Sequence, residues 1–308
     1  MTHLLVTGAS GLLGLNLSLH AHKLGYAVHG WANDTRLPNA PFSVSQVNLL
    51  ALDEIKIQVD KINPDVIIHC AALASLDGAE ADPELSFKLN ADVPGEIAKI
   101  AKVKGIPLVH ISTDSVFDGK LGGYRESDPL SPVGIYTQSK VAGEKAVQGF
   151  YPDAIIARVN FYGWSLSGKR SLAEFFYNNL SESKPVKGFT DVMFCPLYVR
   201  DLANILLEMV KKDLKGIYHV LSSEHLSKYA FGVAIARKFG LDQTLITPIS
   251  VKDAGLKAVR SPNMTLRVDK LVTDLGHSLP NVNDGLDAFY QDYIANVPGQ
   301  LRACLLND

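Results

Sequence analysis

Tyr136 and Lys140 stand four residues apart in the run Tyr-Thr-Gln-Ser-Lys, inside a stretch whose pattern predicts helix over 137–149. At about 3.6 residues per turn, positions i and i+4 share a face. A cation held beside a phenol favours phenolate, so Lys140 is expected to draw the tyrosine down from its ordinary value of ~10. A fall of ~3 units corresponds to about 4 kcal/mol of differential stabilisation. A tyrosine tuned in this way exchanges a proton with a carbonyl or alcohol oxygen near neutral pH. Two exposed residues on an amphipathic helix satisfy the same spacing, so the rest of the chain has to decide.

A second constellation lies at the N-terminus. A short β-rich run, 4–7, stops at Gly8, and Gly8, Gly11 and Gly14 are spaced G-x-x-G-x-x-G before a helical stretch. Glycines let the backbone turn tightly and approach a ligand, while a helix N-terminus offers free N–H groups and the positive end of a dipole. The turn, with Gly8, Ser10, Gly11, Leu12, Leu13 and Gly14, is therefore the candidate cradle for a dinucleotide pyrophosphate, against the plain alternative of a glycine-rich turn. NAD sites place an acidic residue at the end of the second strand. Here that position reads Gly-Trp-Ala-Asn33, with Asp34 and Arg36 just beyond. Arg36 suits a 2′-phosphate, so NADP(H) is favoured and NAD(H) stays open. Asn48 and Leu49 are candidates to contact the adenine, or simply enter a loop.

These groups need a scaffold, and the chain supplies one. Strands are expected at 26–31, 44–48, 66–70, 108–112 and 154–159, and helices at 15–24, 52–61, 92–104 and 137–149. The alternation implies parallel β-α-β units, and the continuous apolar runs Val66-Ile67-Ile68 and Ile155-Ile156-Ala157 fit strands buried on both faces. After about residue 163 the rhythm breaks into helices near 171–180, 199–210 and 229–239, a strand at 217–221 and a loop-rich 241–271. The fold class expected is α/β: a doubly wound, Rossmann-like parallel sheet in 1–163 with a smaller, irregular α/β substrate lobe in 164–308, partly interleaved with the core.

Composition excludes several classes. A 308-residue chain with 47% hydrophobic residues, 20% charged residues and a net charge of −2 is an ordinary globular protein. It is not built for nucleic acid or an anionic membrane surface. Its three cysteines, Cys70, Cys195 and Cys304, have no C-x-x-C spacing, and no H-x-x-x-H or paired-carboxylate pattern suggests a metal. Without a signal-like start or a bilayer-length apolar run, a cytoplasmic location is expected. His69 and His110, in apolar strands, read as satisfied core histidines. Tyr162, Trp164 and Phe194 either line an apolar pocket or pack.

With the glycine turn and the Tyr136–Lys140 pair together, the chain resembles the extended short-chain dehydrogenase/reductases. More narrowly, it is similar to the dTDP-4-dehydrorhamnose reductase family. The resemblance runs through Cys70-Ala71-Ala72, Asp77, Glu80, Leu89-Asn90-Ala91 and the stretch Ser112-Thr113-Asp114-Ser115-Val116-Phe117-Asp118-Gly119. It continues through Tyr124, Glu126, Asp128-Pro129, Arg158-Val159-Asn160 and the segment from Arg260 to Leu271. It implies that Thr113 hydrogen-bonds the reacting carbonyl and that Tyr136 is the acid. Lys140 would tune that acid while holding the nicotinamide ribose, and Cys70, Ala71, Ala72 and Asn90 would join the cofactor site. The substrate implied is a nucleotide-linked deoxysugar with a keto group; a homodimer is an open expectation. Ser115, Ser261, Met264 and Arg267 depart from the family pattern, all toward the substrate side. Only Asp114 follows the threonine, without a second acid, which disfavours dehydration but leaves an epimerase open. The resemblance extends to the regulatory subunit of methionine adenosyltransferase, so a non-catalytic cofactor-binding subunit is the other alternative.

Overall fold

Val66–His69 and Ile155–Val159 bury every side chain, as strands covered on both faces must. They are interior strands of a seven-stranded, all-parallel sheet in a computed structural model that describes residues 1–255 and 261–305. The strands are β1 (His3–Thr7), β2 (Ala27–Ala32), β3 (Ser43–Gln46), β4 (Val66–His69), β5 (Leu108–Thr113) and β6 (Ile155–Val159), joined by Gly216–Val220. From one edge the order is β3, β2, β1, β4, β5, β6 and then Gly216–Val220. The direction of winding reverses between β1 and β4, and open sheets of this kind bind ligands outside the C-terminal strand ends at that switch.

Helices α1 (Leu12–Lys23), α2 (Leu52–Ile62), α3 (Leu76–Ala81), α4 (Pro83–Phe87), α5 (Val93–Lys104) and α6 (Ile135–Phe150) belong to the first half of the chain. Strand side chains alternate between faces. Leu5, Ile67, Leu108 and Ile156 pack against Ile55 and Val59 of α2, Ile97 of α5 and Val147 of α6. Their neighbours Leu4, Val6, Ile68, Val109 and Ala157 meet Leu13 and Leu17 of α1 together with Leu202 and Leu206. Those last two belong to α8 (Val199–Lys211), which follows α7 (Leu172–Ser181). Thus the second half contributes both a strand to the main sheet and a helix to its cover. Its remaining elements include α9 (Lys228–Phe239), α10 (Asp269–Leu275) and α11 (Val282–Ile294), with three small sheets of two or three strands.

Element ends follow local chemistry. Asn63 (φ 48°) and Gly105 (φ 67°) close α2 and α5 in the left-handed conformation. The helix expected over 92–104 is preceded by a π-helical turn, Lys88–Asp92, that sequence patterning does not mark. Tyr162, Trp164 and Phe194 are buried in an aromatic cluster; Trp164 stacks on Phe289 at 4.1 Å and donates its indole N–H to the Phe289 carbonyl. Packing, not a pocket, is what they serve. No described helix is long and apolar enough to cross a membrane. Arg260 lies outside the described residues.

Candidate active site

Thr7 ends β1 and Gly8 turns the chain with φ 67°, a conformation that side chains with a Cβ rarely take. Gly11 N–H closes the turn onto the Gly8 carbonyl at 2.8 Å and serves as N-cap of α1, with no side chain capping the helix. A Cβ on Gly14 would lie 2.1 Å from the Gly8 carbonyl oxygen, and one on Gly8 would lie 2.8 Å from the Ala71 nitrogen. The turn is therefore compressed against the end of β4, and the first-turn N–H groups of α1, at Leu12 and Leu13, have no side-chain partner. Ser10, Gly11 and Leu12 stand half-buried at its rim. This is an anion cradle of the kind a dinucleotide pyrophosphate fits.

The other nucleotide-side residues lie around the same strand ends. Asn33 and Arg36 are exposed beyond β2, Asn33 donating to the Asp34 carboxylate at 2.8 Å. Asn48 turns its side-chain oxygen back to the Leu50 N–H, and Leu49 points into the core beside Val47 and Ile55. Cys70 and Ala71 are half-buried and Ala72 is exposed, just past β4. Burial pushes the Cys70 thiol up to about 12, which leaves it protonated and inert. Asn90, carried by the π-helical turn, grips the chain after β4: its side chain accepts from Leu73 N–H at 2.9 Å and donates to the Leu73 carbonyl at 3.1 Å and to Ser139 at 3.0 Å.

Thr113, at the C-terminal end of β5, lies beside Tyr136; its hydroxyl donates to Asp114 Oδ1 at 3.1 Å and accepts from Ser115 N–H at 3.2 Å. Tyr136 lies in the first turn of α6, which begins two residues before the expected start because Glu80 accepts from the Ile135 N–H at 2.9 Å. A carboxylate at that end also complements the helix dipole. Lys140, 2% exposed, sits one turn on and donates to the Ile111 carbonyl at 2.8 Å. Ser139 donates to the Tyr136 carbonyl, and α6 approaches the π-helical turn so closely that a Cβ on Gly143 would lie 2.0 Å from the Asn90 carbonyl oxygen.

The expected depression of Tyr136 by Lys140 is not what the structure holds. Burial, with the nearby Asp114 adding to it, pushes Tyr136 up to about 12, against which the neighbouring Thr113 hydroxyl works. Burial also lowers Lys140 to about 8, opposed by Glu144. Its ammonium is committed to the Ile111 carbonyl. Asp114 is itself raised by burial, despite bonds from Asn160 (2.6 Å), Thr113 (3.1 Å) and Ser115 (3.0 Å).

His69 and His110 are core residues, as expected, but not satisfied ones. Their rings stack at 5.5 Å. Thr7 Oγ1 accepts from Ala71 N–H and shares a hydrogen bond with His69 Nδ1 at 2.7 Å, yet His69 Nε2 and both ring nitrogens of His110 have no partner among the described residues. Burial drops His69 to about 3, and His110 well below its ordinary value.

Sequence reasoning passed over Glu144, which repeats the four-residue interval from Tyr136 and Lys140 and pairs with Arg158 of β6. That interval was the available signal. Among the departures from the family pattern, Ser115 is half-buried beside Asp114, while Ser261 and Met264 press on Gly119, where the loop after β5 meets the second half.

A parallel sheet with a glycine-built anion cradle at its switch point, and a threonine, tyrosine and lysine beside it, defines an extended short-chain dehydrogenase/reductase. The chain belongs to the family described as RmlD substrate binding domain, whose model matches residues 1–295. It is 32% identical to the probable low-salt glycan biosynthesis reductase Agl14 of Haloferax volcanii, over 94% of this chain and 98% of that one. It is 31% identical to methionine adenosyltransferase 2 subunit beta of Pongo abelii, over 87% and 81%. A crystal structure of dTDP-4-dehydrorhamnose reductase from Bacillus anthracis in complex with NADP superposes with a TM-score of 0.86 at 26% identity, covering 95% of this chain and all of that one.

Proposed function

We propose that this protein reduces the keto group of a nucleotide-linked deoxysugar with NADPH, with NADH as the lesser cofactor. The observation that carries the reading is Thr113 and Tyr136 side by side at the C-terminal end of β5, next to buried Lys140. The NADP-bound relative and the Agl14 reductase support the same cofactor and reaction class. When bound, the nicotinamide cofactor supplies hydride to the carbonyl carbon.

The chain's own residues account for the remaining requirements. The Gly8–Gly14 turn and the N-terminus of α1 take the pyrophosphate, and exposed Arg36 is available to a 2′-phosphate. Tyr136 offers its hydroxyl where the carbonyl oxygen would gain charge, and the neighbouring Thr113 hydroxyl, which donates to Asp114 at 3.1 Å, becomes a second donor when it turns to the substrate; donors at that position stabilise the charge. Tyr136 gives up its proton to the oxygen. A phenol raised to about 12 keeps that proton at neutral pH, the state an acid for reduction needs. Lys140 supplies the nearby positive charge that offsets the phenolate left behind.

The test is Tyr136→Phe against a panel of 4-keto sugar nucleotides, read by loss of reduced-cofactor absorbance. Turnover is expected to fall by roughly 10²–10⁴ with cofactor binding retained; undiminished turnover would remove Tyr136 from the mechanism. The kinship with methionine adenosyltransferase 2 subunit beta makes a binding subunit the competing reading. Purified protein that consumes NADPH alone with any member of the panel separates the two.

A further inference from the structure

Glu144 lies one helical turn beyond Lys140 and two beyond Tyr136, so all three share the sheet-facing side of α6. Its carboxylate and the Arg158 guanidinium are each 1% exposed. Arg158 Nε reaches Oε1 at 3.0 Å and Oε2 at 3.3 Å, and Nη2 reaches Oε2 at 2.8 Å. Ser112 adds a donated O–H to Oε1 at 2.5 Å. A guanidinium fork and a hydroxyl donor together define Glu144 as a carboxylate. The chain of contacts goes on through Arg158 Nη1 to His219 Nε2 at 3.4 Å, and from His219 Nδ1 to the Arg267 carbonyl at 2.9 Å. Since a carbonyl only accepts, the His219 proton sits on Nδ1, and Nε2 is free to accept from Arg158.

A buried ion pair is a poor device for stability alone, because apolar residues of similar volume hold a helix to a sheet as well or better. What they cannot do is place a negative charge one turn from Lys140. The ionisable groups around that lysine are Tyr136 and Glu144 from α6, His69 and Cys70 from the end of β4, and His110 from β5. Arg158 of β6 lies behind Glu144. Burial keeps both histidines neutral, the Cys70 thiol protonated and the Tyr136 phenol intact. That leaves Glu144 as the carboxylate opposing the loss of the lysine's proton.

We propose that Glu144 is a positioning residue for the reaction, locked as a carboxylate by Arg158 and Ser112 so that buried Lys140 stays an ammonium at the pH of turnover. This rests on the reading of Lys140 as the cation of a reductase site.

The test is a titration of Lys140 by 13Cε NMR in lysine-labelled, cofactor-free protein, assigned against Lys140→Met, in wild type, Glu144→Gln and Glu144→Gln/Arg158→Met. The single variant strands a guanidinium in the interior and is prone to unfold; the double variant removes both charges and keeps the comparison available. In either folded variant the Lys140 midpoint is expected to fall by about one unit or more. The alkaline limb of kcat/KM should move to lower pH by the same amount, which a merely structural loss would not produce. A Lys140 midpoint unchanged in the folded variants would overturn the proposal. The titration needs neither cofactor nor substrate, so wild-type protein that consumed no NADPH with any member of the panel would remove the reductase reading and leave this coupling standing.

Discussion

Lys140 and Tyr136 are driven apart by the same force acting on opposite charge types. Burial disfavours the ammonium, lowering Lys140 to about 8, and disfavours the phenolate, lifting Tyr136 to about 12. Below about pH 8 the site holds a phenol and an ammonium; above it the ammonium is lost first. Reductase activity is therefore expected to decline as pH rises through about 8, measured as kcat/KM across pH 6–10. A flat profile to pH 10 would show that the lysine's charge is not required. The identities of both residues were legible from a four-residue interval. The direction of the tyrosine's shift was not, because it depends on depth of burial and on Asp114, whose position is set by the end of β5 and by Asn160 from beyond β6.

The N-terminal turn shows what element-level reading captures. Glycine spacing between a strand and a helix marked the turn, and the structure adds the reason each glycine is needed: backbone stands where a side chain would go. Gly14→Ala would drive a Cβ onto the Gly8 carbonyl oxygen, so the turn has to open. NADPH affinity is expected to fall at least tenfold, about 1.4 kcal/mol, in a cofactor-fluorescence titration while the protein stays folded. Affinity equal to wild type would mean the cradle does not hold the phosphates. The π-helical turn before α5 was not legible, since its extra residue leaves no trace in apolar periodicity. Its effect is nonetheless direct: it brings the Asn90 side chain to Leu73 and Ser139 and its carbonyl against Gly143 of α6.

At the scale of the whole molecule, the sheet carries a line of buried imidazoles. His69, His110 and His219 are at most 1% exposed and are held neutral, His69 falling to about 3 and His219 to about 4, chiefly by burial. Their folded values lie below the ordinary 6.5, so the unfolded chain binds more protons between those limits. The stability they contribute is complete above pH 6.5 and is lost as pH falls toward 4 and below. Thermal melts from pH 7.5 to 4 are expected to show Tm dropping steadily below pH 6.5, and His110→Phe should flatten that slope. An unchanged slope in the variant would show that His110 does not titrate on unfolding. The strand–helix alternation of the first half predicted most of the scaffold that buries these rings. It could not predict that Gly216–Val220 would complete it, because sheet-edge pairing leaves no mark in local periodicity.

That late strand has a consequence for recombination. A chimera joined near residue 163 would inherit its β6 edge from one parent and the strand that must zip along it from the other, with α8 left to settle on a foreign α1. The second half of this chain is thus not a detachable cassette. Viable crossovers are those that carry Gly216–Val220 along with the first half.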